Sequence, residues 1–351
     1  MLSGPWKQRL IRYANTGTDY RLPIRDSLKS PTTILGRKIS LSKTMNPTFS
    51  FQNKIKGEVR YDEIMSAYTS MRIGGPADVF VLPASLKDLQ MVLKYRGNVP
   101  IHILGEGTNL LIRDRGVRGV VLSLKNCFKS VQRPVFYKTA DGRERATILA
   151  GAGVKLSYLA KYAARYGLTG IERLAGIPGS VGGAVVMNAG AEGTEIGQVI
   201  RSVTRVTMSG EVETLKKDEL TFSYRKTDFP SGTGIVIEAE LDLAKGETTA
   251  VHRTMDDHLS RRSSTQPLNM PNSGSIFKNP QDDTAGRLIE SSGLKGYSIG
   301  GAGVSIKHAN FIVNKGGASA KDVIQLIEHI RGVVKDKTGT VLEQEIIIIG
   351  E

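Results

Sequence analysis

The stretch 170–193, GIERLAGIPGSVGGAVVMNAGAEG, limits what this chain can fold into more than any other. It holds seven glycines, one proline, a run of small residues and almost no charge. Glycine gives up more backbone freedom on folding than any other residue and brings no side chain to a core. Such a stretch does not build a packed apolar face by itself. Its use lies in positive φ or in close approach of bare backbone to another surface. Ile177-Pro178-Gly179 reads as a fixed turn and Gly182-Gly183 as exposed backbone, with Asn188 after a short apolar run at 184–187. Two readings fit: backbone wrapped around a flat or anionic ligand, or a packing turn between two core strands.

A second glycine turn lies upstream. Leu104-Gly105-Glu106-Gly107-Thr108-Asn109 carries an apolar strand into a Gly-x-Gly turn bearing a hydroxyl and an amide. Exposed N–H groups in such a turn make a nest for phosphate oxygens. The full Gly-x-Gly-x-x-Gly fingerprint is absent, and no Lys-Ser/Thr follows. Taken alone, a plain β-turn explains it equally well. Two glycine-rich turns, each after a strand and separated by a strand–helix segment, suggest a dinucleotide held along its pyrophosphate.

The rest of the chain alternates strands and helices. Apolar runs at 77–82, 99–104 and 117–122 read as strands, and Ser85 with Asp88 opens a helix closed by Gly97. Asp141-Gly142 marks a hairpin, and Leu156, Leu159, Ala160 and Ala163 line a helix ending at Gly167. Strands follow at 203–208, 211–215 and 235–243, then a polar helix at 248–263. Ser319 with Asp322 starts the clearest helix, which Gly339 stops, and 346–349 is a final buried strand. Segments 220–229, 271–280 and 300–303 read as loops. In the first of these, Tyr224-Arg225 suits either an ordinary surface arginine or a guanidinium presented to an anion.

The 351 residues suffice for two or more domains, and no apolar run approaches the roughly 20 residues of a membrane span. One cysteine, Cys127, excludes an internal disulfide and a cysteine-cluster metal site. The five histidines show no metal-ligand spacing, so no metal is expected. The net charge is +14, and residues 1–50 carry +7 of it. That segment reads as a disordered extension, a transit-like peptide, or sequence upstream of a start at Met45. It lacks a secretory apolar core, which points to a cytoplasmic protein. The remaining +7 suits an enzyme whose substrates carry phosphates. No nucleic-acid motif supports the other reading of the charge.

Seven segments then stand in order: RIGGPAD (72–78), LGEGTNLLI (104–112), AGIPGSVGGAVVMNAGAEG (175–193), YRKTDF (224–229), GSIFKNP (274–280), HANFIVN (308–314) and LEQE (342–345). Together they make the chain resemble the UDP-N-acetylenolpyruvoylglucosamine reductases, from about Tyr68 to the C-terminus. The globular length resembles the shorter class of that family, without an extra tyrosine loop. Thr108 and Thr227 stand where members often carry serine. The segment 1–50 has no counterpart in the family.

The resemblance implies an α+β chain with a two-lobed FAD-binding domain of the vanillyl-alcohol-oxidase type and an α/β substrate domain. The expected divisions are 1–57 for the basic extension, 58–245 for the FAD domain in lobes of 58–122 and 123–245, and 246–351 for the substrate domain. It implies FAD, with NADPH as hydride-donating cosubstrate and a sugar nucleotide as substrate. A monomer without membrane insertion or nucleic-acid partner is expected. By residue, it implies FAD contacts at Gly105, Gly107, Thr108, Asn109, Ile177, Pro178, Gly179, Ser180, Gly182, Gly183 and Asn188. It implies substrate contacts at Tyr224, Lys278 and Asn279. Ser275 matches the proton donor, and Arg225 and Glu345 match the groups that steady an enolate. A second carboxylate beside an enolate repels it unless protonated or hydrogen-bonded, so Glu345 reads as a proton-sharing group. A flavin oxidase of the same fold is the competing reading, and the intact GSIFKNP and LEQE segments weigh against it.

Overall fold

A computed structural model describes residues 50–230, 232 and 234–351. The basic segment 1–49 lies outside the described residues. Ordered structure precedes the expected start at Glu58: Phe51 is fully buried in the largest core cluster.

The first lobe holds β1 (Glu58–Ile64), β2 (Pro76–Leu82), β3 (Ile101–Leu104), β4 (Leu110–Ile112) and β5 (Val117–Ser123). Four of them form a sheet in the order β1-β2-β5-β3. β5 pairs in parallel with both β2 and β3, which demands a crossover. Helix α1 (Leu86–Tyr95) supplies it. Ser85 caps α1 by accepting from the Asp88 N–H at 3.1 Å. Asp88 in turn accepts from the N–H groups of Lys56, Gly57 and Ala84, tying the helix start to the chain entering β1.

The second lobe holds β6 (Val135–Lys138), β7 (Glu144–Gly151), β8 (Leu168–Thr169), β9 (Gly190–Ala191), β10 (Thr194–Glu195), β11 (Ile200–Thr207), β12 (Val212–Lys216), β13 (Thr221–Ser223), β14 (Lys226–Asp228) and β15 (Gly234–Lys245). Its main sheet runs β12-β11-β15-β7-β6 and is antiparallel. Ile235, Ile237, Ala239, Leu241 and Leu243 alternate inward along β15. Helix α2 (Leu156–Arg165) buries Leu156, Leu159, Ala160 and Ala163 in the largest core cluster, which also takes in the inward face of β15.

Helix α3 (Val181–Val186) is a difference from the sequence expectation. Part of the glycine-rich stretch is helical after all, because Ser180 caps it and Val181 and Val185 are fully buried. Segment 220–229 also departs from a loop: β13 and β14 pair as a two-stranded hairpin with Tyr224-Arg225 at its tip.

The C-terminal part holds helix α4 (Thr248–Thr265), β16 (Asn272–Ser275), helix α5 (Ala285–Ser291), β17 (Ser298–Ile299), β18 (Ala302–Val304), β19 (Phe311–Asn314), helix α6 (Ala320–Thr338) and β20 (Ile347–Ile349). Parts of two expected loops thus join an antiparallel sheet, β16-β19-β18-β17: 272–275 is strand, and Gly300-Gly301 turn the chain from β17 into β18. Val323, Leu326, Ile327 and Ile330 bury one face of α6. Ser319 and Asp322 form its capping box, and Gly339 ends it at φ 75°.

The last strand does not stay with this sheet. β20 pairs in parallel with β4 of the first lobe. Asp114, just past β4, accepts from the N–H groups of Ala320 and Lys321 at the start of α6. No helix among the described residues is long and apolar enough to cross a membrane.

Candidate active site

The two glycine turns meet. The Thr108 hydroxyl donates to the Pro178 carbonyl at 3.0 Å, across 70 positions of sequence. A Cβ built on Gly105 would lie 3.2 Å from the Ser180 hydroxyl, and one on Gly183 would lie 3.5 Å from it. At Gly179 the nearest group would be the Thr108 hydroxyl, at 3.6 Å. Gly105, Gly179 and Gly183 therefore turn bare backbone toward one polar-edged cleft. Gly182 and Gly107 have different reasons for being glycine. Gly182 is pressed against Ala152, where a Cβ would come within 2.8 Å of the alanine methyl. Gly107 adopts φ 63° and packs on the Tyr68 carbonyl, 2.1 Å from a built Cβ.

Beside Gly105 lies a cavity of about 220 Å³ lined by Tyr68, Ser70, Leu104, Glu106, Ser123 and Lys125. Ser123 is fully buried, and its hydroxyl has no hydrogen-bond partner. An unpaired buried hydroxyl is costly, so Ser123 is a candidate partner for a polar group brought into this cavity. Lys125 Nζ sits 4.4 Å from the Tyr68 ring centre.

Asn109 joins this cleft to the C-terminal chain. Its Nδ2 donates to the Glu345 carbonyl at 3.2 Å, and its own carbonyl accepts from Ile347 N at 3.1 Å. Asn188 departs from the sequence expectation of a cofactor contact. It is fully buried, and its amide is committed to Glu195, Ser223 and Gly197. Its hydrogen-bonding capacity is spent inside the protein.

The three residues matched to catalysis come from three distant segments. Arg225 tips the β13–β14 hairpin at φ 60°, a left-handed conformation uncommon outside glycine. Its guanidinium carbon lies 4.7 Å from the Tyr224 ring centre. Its Nε donates to Glu345 Oε1 at 2.7 Å. Glu345 itself is held by backbone: its N–H donates to the Ile276 carbonyl at 2.8 Å, and Gln344 bridges to Phe277. Ser275 is the residue before Ile276, so its strand runs alongside Glu345. Gly274 at φ 74° and a register shift between Asn272 and Ser275 put an irregularity in the strand at the serine. Such bulges re-aim a side chain next to a site.

Burial raises the Glu345 carboxyl above the usual carboxylate range, and Arg225 and Lys278 pull against that rise. Lys278 Nζ pairs with Glu343, and its N–H donates to the Glu343 carbonyl at 2.8 Å. Asn279 is exposed, and its Oδ1 accepts from Ala285 N at 3.1 Å, at the start of α5. One positioning group escaped the sequence reading. Asn310, inside the HANFIVN segment, accepts from Phe277 N at 2.9 Å and donates to the Phe277 carbonyl at 2.8 Å. The motif was visible in the sequence, but the two-sided clamp was not.

Residues 77–216 match the model of the FAD binding domain family. Residues 266–349 match that of the UDP-N-acetylenolpyruvoylglucosamine reductase C-terminal domain. A UDP-N-acetylenolpyruvoylglucosamine reductase of Clostridium novyi is 44% identical over 298 residues, covering 84% of this chain and 94% of that protein. The chain belongs to the UDP-N-acetylenolpyruvoylglucosamine reductase family. A reductase of the same name from Listeria monocytogenes is 42% identical over 295 residues, covering 84% of this chain and 95% of that one. The crystal structure of the reductase from Thermus caldophilus superposes with a TM-score of 0.70 at 35% identity, covering 84% of this chain and all of that one.

Membership of this reductase family makes the chain an enzyme, a flavin oxidoreductase, with an α+β FAD-binding domain. The residues present fit a flavin dinucleotide. The bare backbone of Gly105, Gly179 and Gly183 admits a close-lying ligand, and the cavity that Gly105 lines, with Ser70, Glu106 and Lys125, lies beside it. The Arg225–Glu345 pair and the Ser275 strand stand on the C-terminal side of that cleft, joined to it through Asn109.

Proposed function

We propose that this chain reduces UDP-N-acetyl-3-O-(1-carboxyvinyl)glucosamine to UDP-N-acetylmuramate at the expense of NADPH, with FAD between them. The observation that carries the reading is the meeting of Arg225, Glu345 and the Ser275 strand, three separate motif segments, at the edge of the glycine cleft. When bound, FAD would supply the hydride-transfer chemistry between NADPH and the vinyl carbon of the substrate. Gly105, Thr108, Asn109, Ile177, Pro178, Gly179, Ser180 and Gly183 would supply the cleft that holds FAD, with Gly107 and Gly182 shaping it by close packing on Tyr68 and Ala152.

Arg225 receives the substrate carboxylate. Its Nε is taken by Glu345, and its two terminal nitrogens form the edge left for a second carboxylate. Negative charge grows on that carboxylate as hydride arrives, and a guanidinium fixed in advance stabilises it without reorganising. The Ser275 hydroxyl gives the proton that completes reduction at the neighbouring carbon. Glu345, whose carboxyl burial pushes above its ordinary value while Arg225 pulls it back, aligns Arg225 and stands where it can share a proton with the site. Tyr224, Lys278 and Asn279 hold the sugar nucleotide. The FAD domain runs to 245, its core already taking in Phe51, and the substrate domain spans 246–351, in a cytoplasmic monomer.

The test is the visible spectrum of the purified protein, under anaerobic NADPH and then with the enolpyruvyl sugar nucleotide. A flavin band that bleaches with NADPH and returns with the sugar nucleotide is expected. A bleached band that ignores the sugar nucleotide but returns with oxygen would make the chain an oxidase instead.

A further inference from the structure

The β13–β14 hairpin is short and stands outside the main sheets. A lone two-stranded hairpin is marginally stable in water. Arg225 at its tip nevertheless has to meet Glu345, 120 positions later, within hydrogen-bonding distance. Something other than the hairpin must hold its base.

Two side-chain hydrogen bonds do so, placed symmetrically about Arg225. Two residues before it, the Ser223 carbonyl accepts from Asn188 Nδ2 at 2.9 Å. Two residues after it, the Thr227 hydroxyl donates to the Val185 carbonyl of α3 at 2.6 Å. Asn188 and Thr227 are both buried. Asn188 is itself fixed by the Gly197 N–H at 3.0 Å and by Glu195 at 2.7 Å. It adopts φ 41°, a left-handed conformation that asparagine tolerates better than most residues. Gly197 lets the hairpin lie flat, since a Cβ there would come within 2.5 Å of the Phe222 ring.

We infer that Asn188 and Thr227 are positioning residues for Arg225, pinning its hairpin to the glycine-rich segment so that the guanidinium is delivered to Glu345 from a fixed base. The inference rests on the role proposed above for Arg225. It gives Asn188 a mechanical task in place of a cofactor contact. It also separates the two half-reactions. Hydride transfer from NADPH does not use Arg225, whereas reduction of the sugar nucleotide does.

The decisive variants are Thr227→Val, which keeps the shape and removes the hydroxyl, and Thr227→Ser, which keeps the hydroxyl. Asn188→Gly is the second probe, because glycine accepts the left-handed backbone while removing the amide. Three quantities are read on the purified holoprotein: flavin content, the rate of each half-reaction, and hydrogen exchange of segment 221–228.

Thr227→Val is expected to keep full flavin content and NADPH reduction within about twofold, and to slow reoxidation by the sugar nucleotide about tenfold or more, since a misplacement of about 1 Å costs on the order of 100-fold. The loss should fall on kcat rather than KM. Thr227→Ser should restore the rate. Exchange in 221–228 should quicken in both Thr227→Val and Asn188→Gly. Unchanged exchange in that segment would overturn the pinning, and so would flavin loss or a parallel fall in both half-reactions. If the wild-type chain fails to turn over the sugar nucleotide, the proposed function falls, while the exchange measurement still decides whether the two residues hold the hairpin.

Discussion

Arg225 Nε lies 2.7 Å from Glu345 Oε1, and both side chains are largely shielded from solvent. A buried pair of this kind gains little net stability, because desolvation offsets much of the attraction, but removing one partner leaves the other charge uncompensated. The pair therefore fixes a cation in one place, which is what the role proposed for Arg225 requires. The residues come from the second lobe and from the chain's last turn before β20. Their meeting requires both to be correctly folded.

Arg225→Lys keeps the charge and loses the planar fork. Reoxidation of the reduced protein by the sugar nucleotide should slow by about 100-fold, the scale for loss of one fixed charge-stabilising donor. NADPH reduction should be little changed. Stopped-flow measurement of the two half-reactions checks this, and equal loss in both would point to misfolding.

Ser275→Ala removes the proposed proton donor without touching the glycine cleft. Substrate reduction should fall by roughly 10²–10⁴-fold, the usual share of a positioned proton donor. Flavin content and NADPH reduction should match the wild type. Normal turnover would exclude the serine from proton transfer.

Glu345 gives a pH-dependent stability term. Its carboxyl holds its proton more tightly in the folded chain than at the ordinary value of 4.5. The folded state therefore binds more protons than the unfolded state between those two values, and stability falls as pH rises through that window. Below it the group contributes no pH dependence. Glu345→Gln abolishes the titration, so the wild-type minus variant difference in Tm should decline as pH rises from about 4.5. A flat difference between pH 4 and 8 would contradict the shift.

Ser123→Ala tests the cavity wall. The buried hydroxyl has no partner in the protein, so its removal should leave the apoprotein as stable or raise it by up to about 1 kcal/mol. Binding of FAD should weaken by about fivefold if the hydroxyl serves the cofactor, the scale of one neutral hydrogen bond. Titration of the apoprotein with FAD reads the second effect and thermal melting the first. Unchanged affinity would remove Ser123 from the cofactor site.

Asn310→Ala should destabilise the chain by about 2–4 kcal/mol, because it strands a buried N–H and a buried carbonyl of Phe277. Urea denaturation measures this. A loss well under 1 kcal/mol would mean that the clamp is replaced by water.

Much of the fold is legible in the sequence because its signals are local. Ser85 with Asp88, and Ser319 with Asp322 and Gly339, write their helix ends in residues three or four apart or at a single backbone position. Asp141-Gly142 marks its hairpin by the backbone angle the turn needs, with Gly142 at φ 82°. The seven family segments likewise carry the residues proposed for the site. What they do not give is the joining: β20 returning to β4, the Asn109 link to Glu345, and the Asn310 clamp on Phe277. Alternation along a strand says which face is buried but not which strand lies beside it. Segments 220–229 and 271–280 read as loops for the same reason, since their short strands are stabilised by partners supplied from elsewhere in the chain. Asn188 was legible as a residue in a motif, but its amide could equally have faced a ligand or a neighbouring carbonyl. Only the arrival of Ser223 and Gly197 against it decided which, because a buried polar group takes whatever partner the packed structure brings within reach.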